Sequence, residues 1–404
     1  MSLRLAARVQ RIKPSPSSAA ADRAAALRRE GRSIIGLVVG EPDLDMPGHI
    51  VEAIVEAARQ GQTRYTQNAG TPELRAAISA KLQRENGLDY AADQILVTPG
   101  AKSAIFNALL ATLGEGDEVL VPAPYWVSYP DMVLACDGTP VTVVGHESDG
   151  FKLRPEALAQ AITPRTRWLI LNSPSNPTGA VYSEAEWKDL LEVLQAHPQV
   201  WLMTDEIYEH ICFAGHKPRH PLVLEPGLKE RTLIVNGVSK TYAMTGLRLG
   251  YAAGPPALIQ AMAALQSQST SNACSLSQAG AVAALNGDQS FVVRNAELYR
   301  RRRDEVVGRI NAIDGLRCEL PDGAFYVYVN CAGLLGRQTP KGQILGNDDD
   351  VVMYLLEQVG VAVIAGHAYG LSPYFRLSTA ASLEILIEGC VRMATAVSLL
   401  RTPA

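Results

Sequence analysis

An acid and a lysine each follow an apolar run that predicts a buried strand. Asp205 comes directly after the run 200–204, and Lys240 follows the run 232–235 in a turn close to Gly237. A buried carboxylate needs a cationic partner or several hydrogen-bond donors. A lysine in apolar surroundings can lose its charge by desolvation and become a nucleophile. The alternatives are a structural ion pair at Asp205 and a surface lysine whose stem alone is buried at position 240.

Groups that favour phosphate accompany this pair. Gly100, Ala101 and Lys102 open a predicted helix, where free backbone amides attract anions, and Ser239 and Arg248 lie close to Lys240 in sequence. Together these residues suit a ligand with a phosphate, an aldehyde for the lysine and a basic ring nitrogen for the acid. Pyridoxal 5'-phosphate has all three. The sequence has neither GxGxxG nor GxxxxGK[ST], so it lacks the dinucleotide fingerprint and the Walker loop.

The elements that position these residues alternate between short apolar runs and longer helical patterns. The runs are nearly continuous in apolar residues, as strands are when helices cover both faces of a parallel sheet. They lie at 94–98, 118–121, 139–144, 167–171, 200–204, 232–235 and 249–253. The predicted fold class is therefore α/β, with a mostly parallel sheet sandwiched by helices. Ligands of such sheets bind beyond the carboxyl ends of the strands, where Asp205 and Lys240 are expected.

The pattern changes after about residue 290. A charged helix over 293–313 precedes an alternating strand at 325–329, a helix near 349–359, short strands at 361–364 and 374–377, and a final helix. This mixture predicts a smaller α+β domain. The segment 333–350 is rich in glycine and polar residues, and we expect a mobile insertion or lid there.

Composition excludes several classes of protein. Of the 404 residues, 47% are hydrophobic and 19% charged, which indicates a globular chain and excludes a disordered one. A net charge of −4 gives no reason to expect nucleic acid or an anionic membrane as partner. No apolar run approaches the length of a membrane span. The six cysteines include no Cys-x-x-Cys pair and the histidines match no metal motif, so we expect reduced thiols, no metal and a cytoplasmic location.

Four longer motifs show a resemblance to a known family. They are SPSNPTGA at 173–180, DEIYEH at 205–210, NGVSKTYAMTGLRLGY at 236–251 and FRLS at 375–378. The chain resembles fold-type I pyridoxal-phosphate aminotransferases of class I/II, from about residue 4 to its C-terminus. Within that family it is similar to the bacterial aspartate aminotransferase branch that includes aspartate/prephenate aminotransferases. The resemblance implies a large cofactor-binding domain at 50–290 and a small substrate-closing domain formed by 1–49 and 291–404.

The resemblance also implies roles around the cofactor. Lys240 would hold the cofactor as a Schiff base and then act as general base, while Asp205 would pair with the protonated pyridine nitrogen. Tyr208 and Asn176 would bond the phenolic oxygen, and Trp126 would stack on the ring. The phosphate would be bound by Gly100, Ala101, Lys102, Ser239 and Arg248, and by Tyr65 of the neighbouring subunit. The expected assembly is thus a homodimer with shared active sites.

Substrate contacts follow from the same resemblance. Arg376 would clamp the α-carboxylate through a two-bond fork, with Asn176 touching the same carboxylate and Trp126 beside it. Gly40 would line the pocket through its backbone. In this branch a second carboxylate would meet Lys102, helped by the hydroxyls of Ser15 and Ser17.

The expected function is ping-pong transamination of a dicarboxylic amino acid, aspartate or glutamate, with 2-oxo acids such as oxaloacetate and 2-oxoglutarate. Prephenate is a further candidate substrate. The alternatives on the same fold are an aromatic/alanine-type aminotransferase and a β-eliminating lyase. A cofactor-sensing transcription regulator would carry a helix-turn-helix domain before the aminotransferase-like part, and a match that begins near residue 4 leaves no room for one.

Overall fold

The computed structural model describes residues 4–14, 16–213 and 219–402, without the side chains of residues 16–18. Its strands form one large and two small sheets. In chain order the strands are β1 (Ile35–Gly36), β2 (Ile95–Thr98), β3 (Glu118–Ala123), β4 (Thr139–Val144), β5 (Thr166–Asn172), β6 (Trp201–Asp205), β7 (Thr232–Gly237), β8 (Gly250–Ala253), β9 (Tyr326–Asn330), β10 (Val361–Ala362), β11 (Ile364–Ala365) and β12 (Tyr374–Ser378).

The large sheet has seven strands in the order β2-β8-β7-β6-β5-β3-β4. β8 runs antiparallel to its neighbours β2 and β7, and the other pairs are parallel. The residues of β2 and β7 are buried throughout, because helices cover both faces. The mostly parallel α/β sheet predicted from the apolar runs is therefore confirmed, with one reversed strand that the sequence pattern did not indicate.

Fourteen α-helices lie in the described parts of the chain. They are α1 (Ala7–Arg11), α2 (Pro16–Arg29), α3 (Gly48–Arg59), α4 (Pro72–Lys81), α5 (Ala101–Thr112), α6 (Ser128–Ala135), α7 (Pro155–Ala161), α8 (Glu184–Ala196), α9 (Pro221–Leu224), α10 (Pro256–Ser267), α11 (Ser275–Asn286), α12 (Ser290–Asn311), α13 (Asp348–Val359) and α14 (Leu383–Ser398). None of the helices in the described parts of the chain combines enough length and apolar character to cross a bilayer.

Two small sheets are built from C-terminal strands and from β1 of the N-terminal segment. β9, β12 and β11 form an antiparallel sheet, and β1 pairs in parallel with β10. Their apolar side chains pack with α12, α13 and α14 in a core that includes Leu37, Val306, Val351 and Phe375. A separate core around the large sheet includes residues from Ile50 to Val292. These two cores support the division at 50–290, which we keep as a proposal.

Two predictions for the C-terminal part were wrong. β9 is buried at all five positions, so it does not alternate between core and solvent. The segment 333–350 is anchored to the core by buried Leu334 and Leu345. The backbone of Gln338 also exchanges two hydrogen bonds with Arg401, at 2.8 and 2.9 Å. The apolar residues scattered through this segment fix it to the small sheets, away from the cavity described below.

Candidate active site

The carboxyl ends of the parallel strands meet at one edge of the large sheet. Asn172 ends β5 and pairs with Asp205, which ends β6. The turn that carries Lys240 follows β7. Beyond this edge lies a cavity of about 390 Å³. Its lining includes all the predicted site residues named next: Gly40, Ala101, Lys102, Trp126, Asn176, Asp205, Tyr208, Ser239, Lys240, Arg248 and Arg376. Folding thus brings together groups that lie far apart in sequence.

Asp205 is a buried carboxylate without a direct ion-pair partner among the described residues. The hydroxyl of Tyr129 donates to its Oδ2 at 2.6 Å, and the amide of Ile207 donates to its Oδ1 at 3.3 Å. Burial raises the pKa of Asp205 to about 6, although the bond from Tyr129 acts in the opposite direction. Burial makes the charged form of Asp205 unfavourable, and a cation bound in the cavity next to it would stabilise that charged form.

Lys240 faces the same cavity. Its Nζ donates to the carbonyl oxygen of Gly40 at 2.6 Å. Burial is the largest cause that lowers the pKa of Lys240 to about 8; the positive charges of Arg248 and Arg376 also lower this pKa, whereas Glu41 raises it. About one Lys240 amine in ten is therefore neutral at pH 7, and the neutral form is the one that a nucleophile or general base requires.

An anion site adjoins Lys240. Helix α5 begins at Ala101 without a side-chain cap, so its first amides are open to a ligand. Gly100 has a φ of +88°, and a Cβ there would lie 2.6 Å from Nη2 of Arg248. At Gly250 a Cβ would lie 2.2 Å from the amide nitrogen of Ala101. Because Gly100 and Gly250 have no side chain, the start of α5 can lie close to the guanidinium of Arg248 and to the turn that carries Ser239.

Arg376 projects from β12. Its Nη1 donates to Oδ1 of Asn176 at 3.0 Å, and its Nη2 donates to the carbonyl of Val38. Its Nε is buried and has no hydrogen-bond partner in the described structure. The guanidinium lies over the ring of Tyr326, with Cζ 4.4 Å from the ring centre. A buried, fixed guanidinium with an unused donor is suited to bind a carboxylate.

Trp126 and Lys102 form one wall of the cavity. Nζ of Lys102 lies 4.6 Å from the centre of the Trp126 ring and donates to Oγ of Ser128 at 3.2 Å. Partial burial of the ammonium and the nearby charge of Arg248 lower the pKa of Lys102. Lys102 also lines a neighbouring cavity, so it lies where the two cavities meet.

Three further residues shape the site, and the sequence reasoning missed them. Tyr129 bonds Asp205, and the hydroxyl of Tyr326 lies 2.7 Å from that of Tyr208. Asn172 donates to the carbonyl of Asp205 and accepts from the amide of Asn176, at 2.8 Å in both bonds. The position of Asn172 at the end of an apolar run was an available signal. No local pattern distinguished the two tyrosines from core residues.

Of the predicted residues that the structure describes with their side chains, Tyr65 and Gly100 do not line this cavity, although Gly100 directly precedes Ala101, which does. The ring of Tyr65 is 91% exposed and lies outside it. Ser15 falls outside the described residues, and Ser17 belongs to α2 but its side chain is not described. The exposure of Tyr65 agrees with a role toward a neighbouring subunit, which stays a proposal.

The arrangement fits the ligand that the sequence suggested. The open helix end with Ser239 and Arg248 suits a phosphate, Lys240 with its lowered pKa suits an aldehyde, and the buried Asp205 suits a protonated ring nitrogen. All of these groups line one cavity of about 390 Å³.

A second cluster of potential metal ligands does not call for an ion. Glu85, Glu209 and His210 offer atoms within 4.8 Å of one another. The buried ammonium of Lys81 already lies among them: it pairs with Glu209 and lies 3.7 Å from Glu85. The ammonium of Lys81 thus offsets one of the two carboxylate charges, and Arg84 pairs with Glu85.

Comparisons with known proteins agree with the site. Residues 32–389 match the family model "Aminotransferase class I and II". An aspartate aminotransferase of Rhizobium meliloti strain 1021 is 55% identical over 93% of this chain and 91% of the relative. An aspartate/prephenate aminotransferase of Cereibacter sphaeroides is 52% identical over 95% and 96%. The crystal structure of the aspartate aminotransferase from Rhizobium meliloti superposes with a TM-score of 0.97, at 53% identity over 99% of this chain and 100% of that one.

Proposed function

The chain belongs to the class I and II aminotransferases, and from that premise we propose that it uses pyridoxal 5'-phosphate to transfer the amino group of a dicarboxylic amino acid to a 2-oxo acid. The preferred pairs are aspartate with oxaloacetate and glutamate with 2-oxoglutarate. The observation that carries the proposal is the shared cavity: Lys240, Asp205 and Arg376 face it from three different parts of the chain. The relatives named for aspartate support the choice of substrate.

The residues that would hold the cofactor divide by the group they meet. The first amides of α5, together with Ser239 and Arg248, would bind the phosphate. Asp205 would hold the proton on the ring nitrogen, Tyr208 and Asn176 would bond the phenolic oxygen, and Trp126 would cover the ring face. When bound, pyridoxal phosphate supplies an electron sink for the negative charge that develops at the substrate Cα.

Lys240 would be the base of the reaction. Its lowered pKa lets the neutral amine take the proton from the substrate Cα near physiological pH, which general base catalysis favours. The carbonyl of Gly40, which accepts from Nζ, would orient this amine. The positive charges of Arg248 and Arg376 keep the neutral form accessible while both arginines bind anions.

Arg376 would bind the α-carboxylate of either substrate. Its existing bonds to Asn176 and Val38 fix the plane of the guanidinium, so little freedom is lost when a carboxylate binds. We propose Lys102 as the partner of the second carboxylate, with the hydroxyls of Ser15 and Ser17 beside it. A lysine is a charge on a flexible stem, so it can reach dicarboxylates of different length. On this basis prephenate is a second candidate acceptor, as the name of the Cereibacter relative also suggests.

We further propose a homodimer in which Tyr65 completes the phosphate site of the neighbouring subunit. Its ring is 91% exposed in the single chain, and a large aromatic side chain is rarely left so exposed without a partner. The proposed location is the cytoplasm; all six cysteines are free thiols, as a reducing compartment favours.

The test is a screen of amino donors against 2-oxoglutarate with the purified protein and added pyridoxal phosphate. We expect aspartate to be used with the highest kcat/KM. Each molecule of aspartate consumed should yield one molecule of glutamate. Release of ammonia and pyruvate without glutamate would identify a lyase instead. A preference for phenylalanine or alanine over aspartate would contradict the assignment of Lys102.

A further inference from the structure

Tyr326 lies where the two halves of the proposed site meet. It comes from β9 of the small antiparallel sheet and is 2% exposed. Its hydroxyl is 2.7 Å from the hydroxyl of Tyr208, which belongs to the segment after β6 of the large sheet. Its ring also supports the guanidinium of Arg376, 4.4 Å away.

We propose that Tyr326 is a positioning residue: it donates a hydrogen bond to Tyr208 and so directs the hydrogen of Tyr208 to the phenolic oxygen of the cofactor. The inference rests on the proposed function, because it assigns Tyr208 to that oxygen. It adds a group from the small sheet that acts on the cofactor through another side chain.

The chemistry of the pair fixes the direction of the bond. Each hydroxyl has one hydrogen to donate. If Tyr208 donates to an anionic oxygen of the cofactor, its own oxygen must be the acceptor of the bond to Tyr326. A chain of two such bonds is cooperative, because a hydroxyl that accepts a bond becomes a stronger donor, by roughly 10–30%. A stronger donor stabilises the deprotonated oxygen and lowers the pKa of the bound chromophore.

Gly40 provides an independent observation. A Cβ at this position would lie 2.2 Å from the hydroxyl oxygen of Tyr326. Gly40 has an ordinary backbone conformation that does not itself require glycine. The absence of a side chain therefore makes room for the Tyr326 hydroxyl, beside the same residue whose carbonyl accepts from Lys240.

Charged groups around the pair stay unchanged in the variants that test it. Arg376 and Asp205 act on Tyr208, and Arg376 also acts on Tyr326. Lys240 and Arg248 line the same cavity. Replacing a hydroxyl by hydrogen leaves all of these charges in place, so a change in the chromophore's titration reports the lost hydrogen bond.

The experiment is a pH titration of the visible absorbance of the protein loaded with pyridoxal phosphate. Tyr326→Phe should raise the midpoint by about 0.2–0.5 pH units, since it removes a bond that favours the deprotonated form. Tyr208→Phe should raise it further. In the Tyr208→Phe background, Tyr326→Phe should add less than 0.1 unit, because its effect passes through Tyr208.

Tyr328→Phe is the matched control. Tyr328 lies two residues along the same strand, is also buried, and donates to the carbonyl of Leu371 at 2.8 Å without touching Tyr208. Its removal should leave the midpoint unchanged. Gly40→Ala provides a second perturbation of the Tyr326 hydroxyl, by displacing it, and should shift the midpoint in the same direction as Tyr326→Phe.

The ring of Tyr326 is tested separately from its hydroxyl. Tyr326→Leu removes the aromatic face under Arg376 and should weaken the binding of maleate, a dicarboxylate without an amino group, about three- to tenfold; Tyr326→Phe should change it less than twofold.

A midpoint within 0.1 unit of wild type in both Tyr326→Phe and Gly40→Ala would overturn the inference. If wild type itself forms no visible band with pyridoxal phosphate, the proposed function is what fails.

Discussion

Lys102 should control the preference for acidic substrates, and Lys102→Met tests this. The change keeps much of the apolar stem and removes the ammonium, which lies over Trp126 and next to Ser128. We expect a lower kcat/KM for aspartate, with little change for alanine or phenylalanine, because the latter have no second carboxylate to lose a partner.

The size of the effect follows from the surroundings of Lys102. A hydrogen bond to a charged group contributes about 1.5–3 kcal/mol. Lys102 is in part open to solvent, which places the value near the lower limit, and about 1.4 kcal/mol is a tenfold change in efficiency. Lys102→Met should therefore reduce kcat/KM for aspartate about five- to twentyfold.

The assay measures kcat/KM for each amino donor with saturating 2-oxoglutarate. Lys188→Met is a suitable control, since Lys188 is exposed on α8 and lines neither the cavity that contains Asp205 and Lys240 nor the neighbouring one that Lys102 also lines. It should leave both classes of substrate unaffected. Equal losses for aspartate and alanine in Lys102→Met would refute the reasoning, and would show that Lys102 only balances the charge of the phosphate.

Three further predictions concern the cofactor residues and the assembly. Because the folded pKa of Asp205 is raised to about 6, its ionisation destabilises the cofactor-free protein as pH rises from about 4 to 6, and cofactor-free Asp205→Asn should be up to about 3 kcal/mol more stable than wild type in urea unfolding at pH 8. Asp205→Ala should nevertheless lose more than tenfold in kcat, and a smaller loss would contradict the role of Asp205. The rate at which cofactor-free protein binds pyridoxal phosphate should rise with pH through a midpoint at about 8 and then level off, because the pKa of Lys240 is lowered and about one amine in ten is neutral at pH 7. A rate that still rises tenfold per pH unit above pH 9 would show that the pKa of Lys240 is not lowered. Mixed dimers of Tyr65→Phe and Lys240→Ala chains contain one complete site if Tyr65 acts across the interface, so mixing should restore activity above that of either parent, and no recovery would count against shared sites.

Much of the fold could be predicted because local patterns and tertiary structure agree. The helix predicted over 293–313 is observed as α12, whose buried residues recur every three or four positions along one face. The strand 139–144 is observed as β4. In both places the local signal and the packing favour the same element.

The remaining features depend on contacts between distant segments. β8 lies between β2 and β7 and runs antiparallel to both. Its run of apolar residues does not indicate in which direction the strand runs. Tyr326 lies in a strand that was predicted to alternate between core and solvent, and only the pairing of β9 with β12 brings it beside Arg376. Tyr129 likewise reaches Asp205 from another element. Sequence spacing carries no information on such contacts.

The segment 333–350 was predicted to be a mobile insertion or lid, but the structure anchors it to the core. Its glycine and polar content is typical of a mobile loop, yet a few apolar residues decide its placement. Leu345 is fully buried, and the bonds between Gln338 and Arg401 join the segment to the end of the chain. Composition alone could not weigh those few anchors against the many polar positions.

The central claim is that Lys240 carries the cofactor, and borohydride reduction tests it most directly. The purified protein, incubated with pyridoxal phosphate, should show a visible absorbance band that borohydride removes. Peptide mass spectrometry should then find the cofactor mass on the peptide containing Lys240, and the Lys240→Ala protein should retain none covalently. Labelling of Lys102 or another lysine in place of Lys240 would contradict the account.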